Sequence, residues 1–326
     1  MEYRRLGKSG FKVSELCMGT MQFGWTADEP TAFRILDASR AAGINFIDTA
    51  DVYSRWVEGN PGGVAETIVG KWLQASSVPR DQIVLATKVR GRMGEGPNDE
   101  GLSRGHILNA AHESLRRLGT DYIDLYQLHF PDDETPIEET LEALTDLVRR
   151  GDVRYIGCSN FPAWRTVEAL WAADRRNLAS FASTQPHYNL VHRAEFESEV
   201  QDVCSRYGLA VLPYSPLAGG FLTGKYRRGQ EAPAGTRGVS SPRVREHLQS
   251  ERAWHVLDEV RAIAVAKGKS PSQVALAWLL ANPLVTSPII GPRSMDQLED
   301  NLGGVGWSFS DDELQSLQRA GQPETT

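Results

Sequence analysis

Four side chains in this sequence stand at or just beyond the ends of apolar runs, and their types suit one kind of chemistry. Asp48 sits at the end of INFID, Tyr53 follows five residues later, Lys88 closes IVLATK and His129 closes YIDLYQLH. A phenol has a pKa of about 10, so it holds its proton near neutral pH and can donate it to a reacting atom. A neighbouring ammonium favours phenolate and is expected to lower that pKa, strengthening the acid. A carboxylate beside the lysine keeps the lysine charged and fixed, and a neutral imidazole can hydrogen-bond a carbonyl oxygen. Together the four groups can polarise and protonate a C=O oxygen while something else attacks its carbon.

The attacking species must come from outside the chain. No Ser-His-Asp or Cys-His arrangement is evident, and the seven histidines show no metal-ligand spacing, so no metal is expected. Hydride from a nicotinamide is the natural choice. Taken singly, each residue has an ordinary reading: Asp48 as a turn cap, Tyr53 as a packing residue with a wet tip, Lys88 as a solvated strand end, His129 as a rim histidine. Their recurrence on successive strand ends is what favours the chemical one.

That argument needs elements to carry the residues. Strand-like runs recur at 14–20, 44–49, 83–88, 122–129, 155–160, 181–186, 209–215 and 287–291. Most are apolar throughout rather than alternating, as strands of a parallel sheet buried on both faces are. Amphipathic helical stretches lie between them, for example 30–43, 103–119 and 137–151. Each of these three ends at Gly, and the last two carry arginines in the final turn. Alternation of β and α repeated eight times predicts a single (β/α)8 TIM barrel over residues 1–326, with extra helices and long rim loops. A doubly wound dinucleotide fold would place G-x-G-x-x-G after its first strand, where this chain has GTMQFGW.

In a barrel the C-terminal strand ends meet on one rim. Asp48, Lys88, His129, Ser159, Asn160, Gln185, Tyr214 and Ser215 would gather there, and the last strand runs into Gly291, Pro292 and Arg293. Two long connections, 89–103 and 225–247, would emerge at the same rim, and loops of that length are usually functional or disordered. Gly219-x4-Gly224-Lys225 falls short of a P-loop, because Tyr226 stands where Ser or Thr should hold magnesium. A Gly-rich turn with a lysine can still hold a pyrophosphate; a flexible loop is the equal alternative. Ser294 is a credible N-cap for a helix whose N-terminus favours anions, and Arg293 beside it offers a fork for a 2′-phosphate. Gln297 and Asn301 share one face of that helix.

These residues together resemble the aldo-keto reductase superfamily over nearly the whole chain, and look closer to its bacterial-type reductases and potassium-channel β-subunits than to vertebrate aldose reductases. The likeness rests on FIDTADVYS, LATKV, LYQLHF, YSPLAGGFLTGKY and GPRS-x2-Q-x3-N. It implies a barrel that binds NADPH across its rim, with Tyr53 as proton donor, Lys88 tuning it, Asp48 pairing with Lys88, and His129 orienting the carbonyl. It further implies that Ser159, Asn160 and Gln185 hold the nicotinamide carboxamide, with Asp48, Thr20 and Met21 nearby, and that Tyr214 stacks on the ring. Ser215, Pro216, Leu217, Gly219 and Lys225 would follow the pyrophosphate, and Gly291, Arg293, Gln297, Asp300 and Asn301 the adenosine end. Trp25 and Trp56, in rim loops, could line an aromatic substrate pocket with Tyr53 and His129; packing or exposure is the equal reading, and the other tryptophans read as structural. The loops 55–66 and 225–247 depart from a minimal family pattern, so the substrate does not carry over.

The expected activity is reduction of an aldehyde or ketone to an alcohol. The competing readings are a nicotinamide-binding, redox-sensing regulatory subunit, and a sugar or alcohol dehydrogenase working in the oxidation direction. A net charge of −7 and a pI of about 5.6 argue against nucleic acid and membrane-surface partners. No apolar run nears a membrane span, and MEYRRLGKSG has no apolar leader, so a cytoplasmic location is expected. Cys17, Cys158 and Cys204 are too few and scattered for a disulfide framework or a zinc site, and Cys17 and Cys158, in apolar strand-like runs, read as buried free thiols. The partner expected is a small-molecule carbonyl compound, and a homo-oligomer stays open.

Overall fold

In the computed structural model, which describes residues 1–322, the chain opens with an antiparallel hairpin of β1 (Tyr3–Arg5) and β2 (Lys12–Ser14). Eight parallel strands follow: β3 (Cys17–Gly19), β4 (Phe46–Asp48), β5 (Val84–Val89), β6 (Ile123–Leu128), β7 (Val153–Ser159), β8 (Phe181–Gln185), β9 (Ala210–Val211) and β10 (Ile289–Ile290). From β4 to β9 each pairs with its predecessor, and β10 returns to pair with β3. Thr286 N and Ile289 N then donate to Val211 O and Pro213 O, both at 2.8 Å, which closes the cylinder. This is the (β/α)8 arrangement that the alternation predicts.

Helices cover the outside: α1 (Glu29–Ala41), α2 (Val64–Ala75), α3 (Arg104–Leu118), α4 (Ile137–Arg150), α5 (Ala163–Arg176), α6 (Gln201–Tyr207), α7 (Arg237–Ser240), α8 (Pro242–Gln249), α9 (Glu251–Lys267), α10 (Pro271–Ala281), α11 (Met295–Leu302) and α12 (Asp311–Ala320). Their ends follow local chemistry. Asp28 and Ser103 cap α1 and α3 by accepting from Thr31 N and His106 N, and Pro30 lies in the first turn of α1. Gly119 and Gly151 take the left-handed conformation that stops α3 and α4, behind arginines that complement the helix dipole. The helix expected from DDELQSLQRA is α12, and the frayed end expected beyond it lies largely outside the described residues.

Strand alternation divides the core in two. Ile47, Leu85, Tyr126 and Leu128 point outward into the large layer shared with the helices. Phe46, Val84, Ala86 and Leu125 point inward and form a smaller cluster with Cys17, Ala210, Leu212 and Ile289. The hairpin supplies Leu6 and Val13 to that inner cluster, so it plugs one end of the barrel. The sequence reading missed this hairpin, because a short polar N-terminus gives little periodic signal, and it merged the end of β2 with β3 into one run. The run 209–215 shortens to a two-residue strand because Pro213 has no N–H to pair. The tryptophans also differ from expectation: Trp72, Trp254 and Trp278 are buried, but Trp164 and Trp171 on α5 are exposed. All three cysteines are free and buried. No helix among the described residues is long and apolar enough to cross a membrane.

Gly70 tests the packing between α2 and α3. Alanine in a helix interior is normally better than glycine by roughly 0.5–1 kcal/mol. A Cβ here would lie 2.3 Å from Arg117 O and 2.9 Å from Leu118 Cα, both backbone atoms that cannot swing away. Overpacking costs about 1–3 kcal/mol, so crowding outweighs propensity. Gly70→Ala is therefore expected to lower the urea midpoint, and a midpoint equal to or above the parent's would refute this packing.

Candidate active site

The barrel interior ends in a polar layer. Asp48, Gln127 and Gln185 come from alternate strands β4, β6 and β8, the geometry by which barrel interiors fill in layers. Asp48 Oδ2 accepts from Gln127 Nε2 at 3.0 Å and from Gln185 Nε2 at 2.9 Å. Two residues earlier on β4 and β6, Phe46 and Leu125 form the apolar layer beneath. The inward face of these strands is thus apolar until its last position, where it turns polar.

Lys88, at the same end of β5, is completely buried. Its Nζ donates to Asp48 Oδ1 at 2.5 Å, Thr49 O at 2.9 Å and Tyr53 OH at 3.1 Å. Three donor positions meet three oxygens, so the ammonium is satisfied without water. Burial opposes its charge, but Asp48 and Tyr53 more than offset this and hold its pKa above the ordinary lysine value. Tyr53 departs from expectation. Lys88 does pull the phenol down, but burial pushes it up more strongly, so its pKa lies above its ordinary value. Here desolvation outweighs the nearby cation.

His129 stands edge-on to Tyr53, with ring centroids 6.0 Å apart. Burial, then Lys88 and Arg90, lower its pKa to about 3, so the imidazole is neutral. Asn160 Nδ2 donates to its backbone oxygen at 2.9 Å. Backbone at this rim is strained: Ser54, Arg90, Asn160 and Ser215 all have positive φ. Such conformations cost on the order of 1–3 kcal/mol each and cluster where a chain must present groups in a set direction.

Above these groups lies a cleft of about 690 Å³. Thr20, Met21, Trp25, Asp48, Tyr53, His129, Ser159, Asn160, Gln185, Tyr214, Ser215, Pro216, Leu217, Gly219, Lys225, Gly291, Arg293, Gln297, Asp300 and Asn301 all line it. Lys88 lies beneath its floor. Trp56 is not on its wall, but packs edge-on against Trp25 and Tyr53, with centroids 5.6 Å and 6.2 Å away. The loop 55–66 instead meets the 89–103 connection: Arg55 donates to Arg92 O, and Gly62 abuts Met93.

The cleft has two ends of different character. Near Tyr53 it is aromatic, with Trp25, His129 and Phe130. At the other end Lys225, Arg237 and Arg293 approach one another. Burial, then Arg293, then Arg237, hold Lys225 below its usual pKa, and burial and then Arg293 do the same to Arg237. None of the three makes an ion pair with a carboxylate among the described residues. Gly219 and Gly220, both at positive φ, carry the chain past this corner, and a Cβ on Gly220 would meet Lys225 Nζ at 2.8 Å. The N-cap of α11 is Ser294, as expected, with Gln297 folded back so that its Oε1 accepts from Arg293 N at 3.0 Å.

Sequence reasoning missed several lining residues. Arg237 and Arg243 lie in the long 225–247 connection, where α7 and α8 give almost no periodic signal. Ser270 and Ser272 open α10, whose capping box was legible as S-P-S-Q, but nothing in the sequence aims that terminus at the cleft. Phe130 is the neighbour of a residue already chosen, and it stacks on His129 at 5.1 Å.

Comparison with known proteins agrees with this geometry. Residues 15–322 match the Aldo/keto reductase family. The chain is 42% identical to the uncharacterized oxidoreductase YrpG of Bacillus subtilis, over 97% of this chain and 95% of that one. It is 37% identical to a probable voltage-gated potassium channel subunit beta of Oryza sativa subsp. japonica, over 93% and 90%. It is 36% identical to versiconal hemiacetal acetate reductase of Aspergillus parasiticus, over 99% and 98%. A closed eight-stranded barrel, a buried Asp–Lys–Tyr cluster at its mouth and a match running from residue 15 to residue 322 lead to one assignment: this chain is an oxidoreductase of the aldo/keto reductase family.

Proposed function

We propose that the protein reduces an aldehyde or ketone to an alcohol with NADPH as hydride donor. The observation that carries this reading is the 3.1 Å contact between Tyr53 OH and Lys88 Nζ at the floor of the cleft, beside a neutral His129. The residues present fit the dinucleotide. Lys225, Arg237 and Arg293 are three cations without a carboxylate partner among the described residues, as a site for a pyrophosphate and a 2′-phosphate requires. Ser159, Asn160 and Gln185 would hold the carboxamide, Tyr214 the nicotinamide face, Ser215, Pro216, Leu217, Gly219 and Lys225 the pyrophosphate. Gly291, Arg293, Gln297, Asp300 and Asn301 would hold the adenosine, with Thr20 and Met21 beside the nicotinamide ribose. Held by these residues, the cofactor would supply the hydride that the carbonyl carbon receives.

The chain's own part is to manage the oxygen. The imidazole N–H of His129 hydrogen-bonds the carbonyl oxygen and orients it. Tyr53 passes its phenolic proton to that oxygen as negative charge develops there. Lys88, already 3.1 Å away, stabilises the phenolate left behind. Asp48 balances the lysine charge, so the pair changes little in net charge before the reaction. The same groups work in reverse, with tyrosinate as base, which keeps oxidation of an alcohol within their chemistry. Trp25 and Phe130, with Trp56 behind, favour a flat or apolar substrate body.

The likeness to a potassium-channel β-subunit carries a second reading, a redox-sensing subunit with slow turnover. Multiple turnover separates the two. We expect many turnovers of 4-nitrobenzaldehyde per chain, followed by NADPH absorbance. Tyr53→Phe should lower kcat by about 100-fold or more while NADPH still binds, since general acids contribute roughly 10²–10⁴. Near-parent activity in that variant would remove Tyr53 as the acid.

The charge at Arg293 gives a separate expectation. Losing one charge-assisted hydrogen bond costs about 1.5–3 kcal/mol. Arg293→Ala should therefore raise the KM for NADPH by about 10- to 100-fold and leave that for NADH nearly unchanged. An equal effect on both cofactors would contradict a role at the 2′-phosphate.

The pH profile follows from His129. Its folded pKa is about 3, below the ordinary histidine value, so it stays neutral as pH falls through 7 to 5. The profile of kcat/KM is expected to show no acid limb centred near the ordinary histidine pKa of about 6.5. A limb there that disappears in His129→Gln would show the imidazole charging within that range.

A further inference from the structure

Tyr214 is held more firmly than a ring at the edge of a cleft needs to be. Its hydroxyl donates to Asn160 Oδ1 at 2.8 Å. Its backbone N donates to Pro186 O at 3.0 Å, and a parallel bridge pairs it with His187. One face of its ring is covered by the imidazole of His187, 5.1 Å away between centroids and only 9° from parallel. That imidazole lies in turn on His192, at 3.9 Å and 23°. Asn189 ties the column together. Its Nδ2 lies 3.4 Å from His187 Nε2 and donates to Ser215 O at 3.0 Å, while its Oδ1 accepts from the backbone N of Val191 and His192.

Two histidines therefore stand as a second and third layer behind the one tyrosine that faces the cleft between Asn160 and Ser215. Both rings are half-buried, and desolvating a polar ring costs free energy unless its nitrogens are hydrogen-bonded. A leucine behind Tyr214 would fill the volume. A flat ring sets both the depth and the tilt of Tyr214, because offset stacking constrains the plane of each partner. Burial, followed by His192, Arg243 and His247, lowers the pKa of His187 to about 3, so the ring directly behind Tyr214 carries no charge. An uncharged backing matters beside a ring that alternates between neutral and cationic forms.

We propose that His187, supported by His192, is a positioning residue for the nicotinamide: the pair presses Tyr214 flat and fixes the plane against which the nicotinamide ring lies. This rests on the cofactor reading above. Its effect is expected at the nicotinamide end of the cleft, since among the described residues neither Lys225 nor Arg293 hydrogen-bonds to or stacks on the column.

The test uses binding rather than turnover. NADPH affinity and the fluorescence change on binding are measured for the parent, His187→Ala, His187→Phe and His192→Ala, with 2′,5′-ADP as a probe that lacks the nicotinamide. His187→Ala is expected to weaken NADPH by about 3- to 10-fold, the range of one lost aromatic stack, and to alter the fluorescence change. His187→Phe restores a flat ring and should return NADPH affinity to within about two-fold of the parent. His192→Ala should show a smaller loss, and 2′,5′-ADP should bind all four alike. Unchanged NADPH affinity in His187→Ala overturns the inference. So does an equal loss of 2′,5′-ADP, which would mark general damage, or a failure of phenylalanine to rescue. A parent chain that binds 2′,5′-ADP but not NADPH would overturn the cofactor reading itself and this inference with it.

Discussion

The structure turns on one buried ion pair. Lys88 and Asp48 meet at 2.5 Å with their side chains 0% and 2% exposed. Removing two charges from water costs several kcal/mol per ion, and attraction alone repays that only when the remaining donors and acceptors are also satisfied. Here they are. Asp48 takes three hydrogen bonds from three different strands, and Lys88 gives three. Each of those partners occupies its place because of strand register: Asp48 opposes Ala86, Lys88 opposes Gln127, and Ser159 opposes Gln185. A slip by one residue on any of these strands would turn its polar end outward into the helix layer. The pair thus ties the chemistry to the register of half the barrel.

Tyr53 is the group that this arrangement serves. It is set at the rim by a loop that folds back from β4, and its hydroxyl oxygen accepts the third hydrogen bond of Lys88. Burial raises its pKa and the lysine lowers it, and burial is the larger effect. In the proposed reaction a phenol so placed would keep its proton until negative charge develops on a neighbouring oxygen. The cation beside it then counts for more, because it acts in a poorly solvated place. His129 stays neutral beside it, so in the proposed reaction its imidazole would donate a hydrogen bond without competing as an acid.

Strain and charge are distributed along the cleft to match. Non-glycine residues at positive φ gather at Ser54, Arg90, Asn160 and Ser215, each next to a lining group or within the wall. The barrel can hold such residues because its core over-determines the strand ends. Charge is uneven along the cleft: Lys88 beneath the floor is balanced by Asp48, whereas Lys225, Arg237 and Arg293 stand in mutual repulsion. Arg237 also reaches Trp25, its guanidinium 5.8 Å from that ring, so the 225–247 connection touches the opposite wall.

The sequence by itself determined the barrel and most of the cleft. Eight apolar runs and the helices between them admit few topologies, and polar residues at the strand ends can only meet on one rim. That is why Asp48, Lys88, His129, Ser159, Asn160 and Gln185 were legible before any coordinates. Helix ends were equally legible at Ser103, Gly119, Gly151 and Ser294, because caps are local. Only the tertiary structure decided the rest. The hairpin that plugs the barrel has too few residues to show a period. The net effect on Tyr53 depends on how deeply it is buried, which no spacing reveals. Trp56 stands behind the wall rather than on it, and Arg237 joins the cations, because loops are placed by what they pack against. His187 and His192 are five apart in sequence, and only the turn around Asn189 lays one ring on the other behind Tyr214.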